Sequence, residues 1–272
     1  MEVKMSKLLV HQFPCLSDNY GYLIHDPEAD TTAAIDTPET GPIEAALRLK
    51  GWQLTHILNT HHHADHAGGN LELQDKYGCT IIGPRDEADR IPGIDKEVGD
   101  GDTFLFGSHE VRVIGVPGHT LGHIAFYFEE AEVAFVGDAL FALGCGRVFE
   151  GTPAQMWSSL EKLMALPDET KVYCAHEYTQ ANAKFAMTIE PGNPDLVTRV
   201  KEIEALRAKG KPTVPTSIGL ERRTNPFVRP DSVEIQTLVG HAGSDATAIF
   251  TEVRHKKRQF LSDKAFPDIA CH

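Results

Sequence analysis

THHHADHAGG, residues 60–69, places four histidines and an aspartate in the six positions from His61 to His66. Histidine is a weak helix former and is costly to bury uncompensated, so the cluster needs a chemical reason. The segment follows HILNT, a short apolar run that reads as a strand. In extended chain, successive side chains point to opposite sides. His61 and His63 then reach one point, while His62 faces away and is not a ligand. Asp65 and His66 follow after the chain has begun to turn, and can share a second point a few ångströms off. The pattern H-x-H-x-D-H therefore divides into two pairs, one for each of two metal ions. Neutral imidazole and carboxylate suit zinc, iron or manganese. A polar surface loop explains one histidine, but not four with an interleaved aspartate and a Gly-Gly after them.

Two pairs do not complete two sites, because each ion needs about two further ligands from protein or water. The chain offers them where other apolar runs end. VPGHTLGH supplies His119, FVGDALF supplies Asp138 and YCAHEYT supplies His176. Each stands where a core side chain is expected from the run before it. Up to about residue 176, strand and helix signals alternate. YGYLIHD and TAAIDT read as strands, PIEAALRLKG as a helix stopped by Gly51, GGNLELQDKYG as a helix and TIIG as a strand. TFLF pairs with VRVIGV, and HIAFYF with EVAFVGD, as hairpins. Thr152, Pro153 and Gln155 give TPAQMWSSLEKLMAL a capping box, and KVYCAH is the last strand. Beyond it strand signals stop. YTQANAKFAMTIE, NPDLVTRVKEIEALRAKG and SDATAIFTEVRHKKRQF read as helices, and KPTVPTSIGLERRTNPF as a Pro-rich connection between the last two. A boundary is expected near residue 180. Strand ends are where α/β folds place ligands.

The chain has 272 residues, enough for one large domain or a large and a small one. The apolar segment 131–146 is interrupted by Glu132 and Asp138 and stopped by Arg147, so no membrane span is expected. LLV before His11 is too short for a signal peptide. Five cysteines without CxxC spacing read as reduced thiols of a cytoplasmic protein. A net charge of −13 repels phosphate backbones, so nucleic acid is not the expected partner. VRHKKRQF, residues 253–260, is the exception, a basic island suited to a small anion. On a helix Arg254, Lys257 and Arg258 share a face, with His255 and Lys256 elsewhere. A solvated helix end is the competing reading.

The motifs THHHADH, PGHTLGH, GDALF and AHEYT together resemble the metallo-β-lactamase superfamily over residues 8–180. That resemblance implies an α/β (α+β) fold, an αββα sandwich with metals at one edge. GCGRVFEGT, HEYT, RRTNPF, HAG and VRHKKRQF are similar to glyoxalase II, the hydroxyacylglutathione hydrolases, leaving only LSDKAFPDIACH outside. The resemblance implies a catalytic domain over 1–180 and a helical substrate-binding domain over 181–272. It assigns His61, His63 and His119 to a first metal and Asp65, His66 and His176 to a second, with Asp138 bridging. It gives glutathione to Arg147, Tyr178, Arg254 and Lys257. Animal members of the family carry Lys and Tyr where this chain has Arg147 and Phe149, so the cation is kept and a hydroxyl is lost.

The implied reaction is hydrolysis of S-D-lactoylglutathione to glutathione and D-lactate, the second step of methylglyoxal detoxification. Two divalent ions, zinc first and iron or manganese as alternatives, would turn a shared water into hydroxide near neutral pH, with Asp65 and Asp138 orienting it. No G-x-S-x-G elbow competes with this chemistry. The rivals are a persulfide dioxygenase and a nuclease of the same fold. The remaining expectations are plain. The protein is a monomer acting on a small molecule. His56 and His123 are structural, His123 with a possible hold on a ligand. His11, His25, His109 and His241 lie on the surface or in loops. Cys145 and Cys174 are packing residues. Asp18, Asn19 and Tyr20 border the site without a role.

Overall fold

The computed structural model describes residues 7–241 and 243–263. Its first sheet runs in the order β1 (Leu9–Cys15), β2 (Asn19–Asp26), β3 (Thr31–Ile35), β4 (His56–Leu58), β5 (Thr80–Pro84) and β6 (Lys96–Val98). Both faces are covered, and strand alternation decides which residue serves which face. Leu23, Ala34, Ile57 and Ile81 form one cluster with Ile43, Ala46 and Leu47 of α1 (Thr40–Lys50). Their neighbours Ile24, Ala33, Ile35, Leu58 and Ile82 join the main core. The one-turn α2 (Ala64–Ala67) and α3 (Asn70–Tyr77) follow β4. Gly51 and Gly78 end α1 and α3 in the left-handed conformation that glycine adopts without strain.

The second sheet starts with two hairpins, as the alternation predicts. They are β7 (Thr103–Phe106) with β8 (His109–Gly115), and β9 (Ile124–Phe128) with β10 (Val133–Gly137). β9 and β10 are buried throughout. A small hairpin, β11 (Leu140–Phe141) and β12 (Gly144–Cys145), comes next. In α4 (Pro153–Met164) the capping box is formed, with Gln155 N donating to Thr152 Oγ1 at 3.2 Å and Thr152 N to Gln155 Oε1 at 2.9 Å. β13 (Lys171–Cys174) then pairs parallel to β10.

After His176 come α5 (Thr179–Ile189) and α6 (Pro194–Arg207). Strands do not stop at residue 176, however. β14 (Thr216–Ser217) returns to pair with β13 and completes the sheet order β14-β13-β10-β9-β8-β7. The Pro-rich connection also contains α7 (Ile218–Thr224), and α8 (Val233–Val239) follows it. At seven residues each these helices are too short to display a period, though Ser217 and Ser232 both cap them as start signals. α9 (Ala246–Asp263) closes the chain and buries Ile249, Phe250 and Val253 in the main core.

β1 is an edge strand, mostly half-buried, which is why it tolerates His11, Gln12 and Pro14. Two histidines expected on the surface are buried. His25 on β2 stacks on Trp52 at 4.6 Å and meets Thr32 Oγ1 at 3.0 Å, and His109 opens β8 facing inward. Strand register, not side-chain polarity, fixes their side. Cys15, Cys79, Cys145 and Cys174 are free and buried, and Cys271 lies outside the described residues. Among the described residues no helix is long and apolar enough to cross a membrane. The chain leaves β4, β8, β10 and β13 on the same edge of the sandwich, and the polar motifs begin there.

Candidate metal centre

Asp36 follows directly on β3 and is held in the left-handed region at φ 57°. Its carboxylate accepts Thr60 N–H at 2.7 Å and Thr60 Oγ1–H at 2.8 Å, pinning the start of the histidine loop. Gly137, at φ 48°, passes so close that a Cβ there would lie 2.5 Å from Thr60 Oγ1. Only glycine allows the β4 and β10 strand ends to meet.

The first group is His61, His63 and His119. His63 Nδ1 lies 3.0 Å from His61 Nε2 and 3.1 Å from His119 Nε2. The outer nitrogens fix the tautomers. Thr60 Oγ1 gives its own proton to Asp36, so at 3.0 Å it accepts one from His61 Nδ1. His119 Nδ1 donates to the Arg147 carbonyl at 2.9 Å. Both Nε2 atoms are left with lone pairs turned toward His63. Burial, reinforced by the neighbouring imidazoles, holds His61 well below its ordinary pKa and His63 down at about 4. Burial also lowers His119. These are three neutral imidazoles.

The second group is Asp65, His66 and His176. Asp65 Oδ2 stands 3.3 Å from His66 Nε2 and 3.5 Å from His176 Nε2, and accepts from Asn19 Nδ2 at 3.1 Å. The outer nitrogens here face carboxylates. His66 Nδ1 meets Asp36 Oδ2 at 2.9 Å and His176 Nδ1 meets Asp18 Oδ1 at 2.8 Å. Burial alone would lower both histidines. The charges of Asp36 and Asp138 outweigh it at His66, which is raised, and Asp138 with Asp18 raises His176 to about 9. Burial would raise Asp65, and its contacts with His66 and Asn19 reverse that.

Asp138 lies between the groups. Oδ1 is 3.3 Å from His176 Nε2 and 3.6 Å from His66 Nε2, while Oδ2 is 3.3 Å from His119 Nε2. Its backbone N–H donates to His123 Nε2 at 3.1 Å, and the His123 ring stacks on His61 at 4.6 Å. His123 thus supports two members of the centre rather than belonging to either group.

Divalent ions fit these residues. A tetrahedral ion with ligands at about 2.1 Å separates them by about 3.4 Å, close to the spacings of 3.0–3.6 Å found here. His66 Nε2 and Asp138 Oδ1 are buried without a hydrogen-bond partner among the described residues, at the place where both groups converge. Such orphaned atoms are costly unless something binds them. His62 joins neither group, since its Nδ1 turns to Glu87 Oε2 at 2.7 Å.

An aromatic side chain flanks each group of donors, and cations lie on the segments around them. Phe149, 49% exposed, lies 5.1 Å from His119 and 6.1 Å from His63, with the Arg147 guanidinium 6.0 Å from its ring. Tyr178 stacks on His176 at 4.7 Å. From α9, Arg254 Nη1 reaches the Cys145 carbonyl at 3.5 Å, beside the Cys145 thiol, and Lys257 Nζ donates to Asn182 Oδ1 at 3.1 Å. Burial, with Arg254 nearby, pushes Lys257 down to about 7. Arg258, on the expected shared face, is exposed, because it falls at the outer margin of the buried stripe.

Several residues of the centre carry no sequence motif. Asp18, Asn19 and Tyr20 have roles after all. Tyr20 N donates to Ala175 O at 2.7 Å and Glu177 N to Asp18 O at 2.9 Å, and the Tyr20 hydroxyl donates to Glu177. This pairing brings Asp18 to His176. Asp36 and Thr60 are the other omissions. Asp36 ends an apolar run as Asp138 does, and the strand-end rule that finds Asp138 finds it too.

The family described as Metallo-beta-lactamase superfamily matches residues 26–176, and the one described as Hydroxyacylglutathione hydrolase C-terminus matches residues 177–260. The chain is 56% identical to a hydroxyacylglutathione hydrolase of Hyphomonas neptunium, over 94% of this chain and 100% of that one. It is 54% identical to the one of Methylococcus capsulatus, over 93% and 99%. Among solved structures, ETHE1 from Myxococcus xanthus superposes with a TM-score of 0.63 at 28% identity, covering 92% of this chain and 98% of that one. TTHA1623, solved in a di-iron-bound form, superposes with a TM-score of 0.58 at 25% identity, over 80% and 99%.

Proposed function

The chain belongs to the metallo-β-lactamase superfamily and, within it, to the hydroxyacylglutathione hydrolases, and from that premise we propose how its residues carry out the reaction. It is a thioester hydrolase that converts S-D-lactoylglutathione, or another S-2-hydroxyacylglutathione, to glutathione and the free hydroxy acid. The observation that carries this reading is Asp138, with one carboxylate oxygen at each of two groups of donors.

His61, His63 and His119 would hold one divalent ion and Asp65, His66 and His176 the other, with Asp138 shared. When bound, the ions lower the pKa of water toward neutrality and polarise the thioester carbonyl. Zinc is the expected metal, and the same donors accept iron or manganese. The carboxylates of Asp65 and Asp138 orient the attacking water through its hydrogens and offset part of the ions' charge. The glutathione thiolate leaves without a strong acid behind it, because a thiol has a pKa of roughly 8.5. Arg147, Tyr178, Arg254 and Lys257 would bind the glutathione moiety, whose carboxylates suit Arg and Lys. Phe149 covers the first group and offers no hydroxyl there.

In this reading residues 1–180 bring the metals and 181–272 bring much of the substrate wall. The match over residues 177–260 includes Tyr178, Arg254 and Lys257, which favours the hydrolase over a dioxygenase of the same fold. All proposed ligands come from one chain, consistent with a monomer, and buried free thiols are consistent with a cytoplasmic setting.

The test is loss of thioester absorbance with S-D-lactoylglutathione, together with a count of metals per chain. Arg254→Ala removes a charge-assisted contact worth about 1.5–3 kcal/mol. KM should therefore rise roughly tenfold or more with kcat little changed. An unchanged KM refutes the glutathione assignment even if two metals are found.

A further inference from the structure

We infer that Glu87 is a positioning residue for the first metal ion, a clamp that sets the spacing of all three imidazoles proposed to hold it. The inference rests on the ligand assignment proposed above. Glu87 lies on a short 3-10 helix, Arg85–Arg90, and is 3% exposed. Its two oxygens reach two different loops. Oε2 accepts His62 N–H at 2.9 Å and stands 2.7 Å from His62 Nδ1, and Oε1 accepts Gly122 N–H at 2.8 Å. His62 sits between His61 and His63. Gly122 lies three residues after His119 and one before His123. One buried carboxylate therefore ties together the two loops that carry the whole first group. Among the described residues its hydrogen bonds go to these two loops and not to the strand ends bearing Asp138 and His176.

The approach is close. A Cβ at Gly122 would lie 2.6 Å from Glu87 Cγ, so the clamp needs glycine on the facing loop. The same 3-10 helix makes a second tie. Arg90 Nη1 donates to Glu150 Oε1 at 2.8 Å, and Glu150 Oε2 accepts Leu121 N–H at 3.0 Å. Charged acceptors on backbone N–H groups make the stronger class of hydrogen bond, and here two of them hold adjacent residues of one loop. This also gives His62 a purpose. Its Nδ1 faces Glu87 Oε2, so the ring closes the clamp instead of joining either group.

His62, Glu87 and Glu150 are themselves close enough to hold an ion. Their donors are already committed, however, with Glu87 on two backbone N–H groups and Glu150 on Arg90 and Leu121. A clamp uses every one of these bonds, and a third ion would have to break them.

The experiment compares Glu87→Gln with the parent protein by metals per chain and by chelator competition with zinc. Metal-free thermal unfolding is recorded beside them. Glu87→Gln should bind its first ion at least tenfold more weakly, hold the second unchanged and unfold within a few degrees of the parent when metal-free. Double variants identify the ion. Added to His119→Ala, Glu87→Gln should change nothing further, whereas added to His176→Ala it should weaken the remaining ion at least tenfold. Equal weakening of both ions with a large fall in unfolding temperature would show a general structural role and overturn the inference. So would unchanged affinity for both ions, or a third ion per parent chain. Fewer than two ions in the parent would instead refute the two-metal reading itself, which keeps the two failures apart.

Discussion

Behind His61 and His119 stand neutral acceptors, the Thr60 hydroxyl at 3.0 Å and the Arg147 carbonyl at 2.9 Å. Behind His66 and His176 stand carboxylates, Asp36 at 2.9 Å and Asp18 at 2.8 Å. The inner donors differ by one, Asp65 standing where the first half has a third imidazole, and the outer partners widen that difference. Without metal, the first half is three neutral imidazoles with free lone pairs. The second half is a set of ion pairs in which acidic neighbours keep histidine protonated. A carboxylate behind an imidazole also makes that imidazole a stronger donor once its inner proton is gone. The first half is therefore ready for an ion, and the second binds one more firmly but must first release a proton.

The largest effect should come from the one residue the halves share. Asp138→Ala removes an oxygen from each half. Hydrolysis should fall by roughly 10³-fold or more, the scale of losing a principal electrostatic element, and metal content should drop below two per chain. Retention of two ions with near-normal turnover would show that the halves work independently.

Asp18→Asn should separate the halves. It removes the charge behind His176 alone, so the second ion should bind about 10- to 100-fold more weakly while the first is unaffected. Asp36→Asn should not separate them. Asp36 meets His66 directly and reaches His61 through Thr60, so both ions should weaken. Chelator competition on each variant checks this. Selectivity in Asp36→Asn equal to that in Asp18→Asn would break the relay through Thr60.

The proton requirement gives a smaller effect with a definite sign. His176 is raised to about 9, so below that pH an ion entering the second half competes with a proton. His66 is raised as well, so affinity there should rise with pH, by up to about tenfold per unit for each proton displaced, and keep rising to at least pH 9. His61, His63 and His119 are all lowered by burial, His63 to about 4, so the first half faces far less of this competition than the second. Titrating metal-free protein at pH 6 should show two well-separated binding steps that approach one another by pH 9. Steps that move in parallel with pH would contradict the contrast.

The same contrast explains what the sequence reveals. His61, His63, Asp65, His66, His119, Asp138 and His176 all stand at or just past the end of an apolar run, and a local pattern is enough to single them out. Their outer partners are set by tertiary contact. Asp18 meets its histidine across 158 residues, and Glu87 meets its loop across 25. No spacing rule links such pairs. Most strands of the two sheets follow from their apolar runs, while β1 escapes because an edge strand need not alternate cleanly and β6 and β14 because they are too short to show a pattern. α7 and α8 escape because two turns carry too little period, although Ser217 and Ser232 announce them.

The smallest prediction extends the comparison to the rim. Each half has one aromatic neighbour there, Phe149 by His119 and His63 and Tyr178 by His176. Only the second carries a hydroxyl. If glutathione lies across both halves, Phe149→Tyr supplies a donor on the side that lacks one. The ring is half exposed, so the gain sits at the low end of a net hydrogen bond, about 0.5 kcal/mol, and KM should fall two- to threefold with kcat unchanged. Tyr178→Phe should raise KM by at least as much, because its ring lies against a proposed ligand and is held by stacking. A fall in KM for Phe149→Tyr would show that the substrate contacts the first-half rim as well as the second. If Tyr178→Phe raises KM while Phe149→Tyr leaves it unchanged, recognition belongs to the second half alone, and the asymmetry behind the histidines continues out to the substrate.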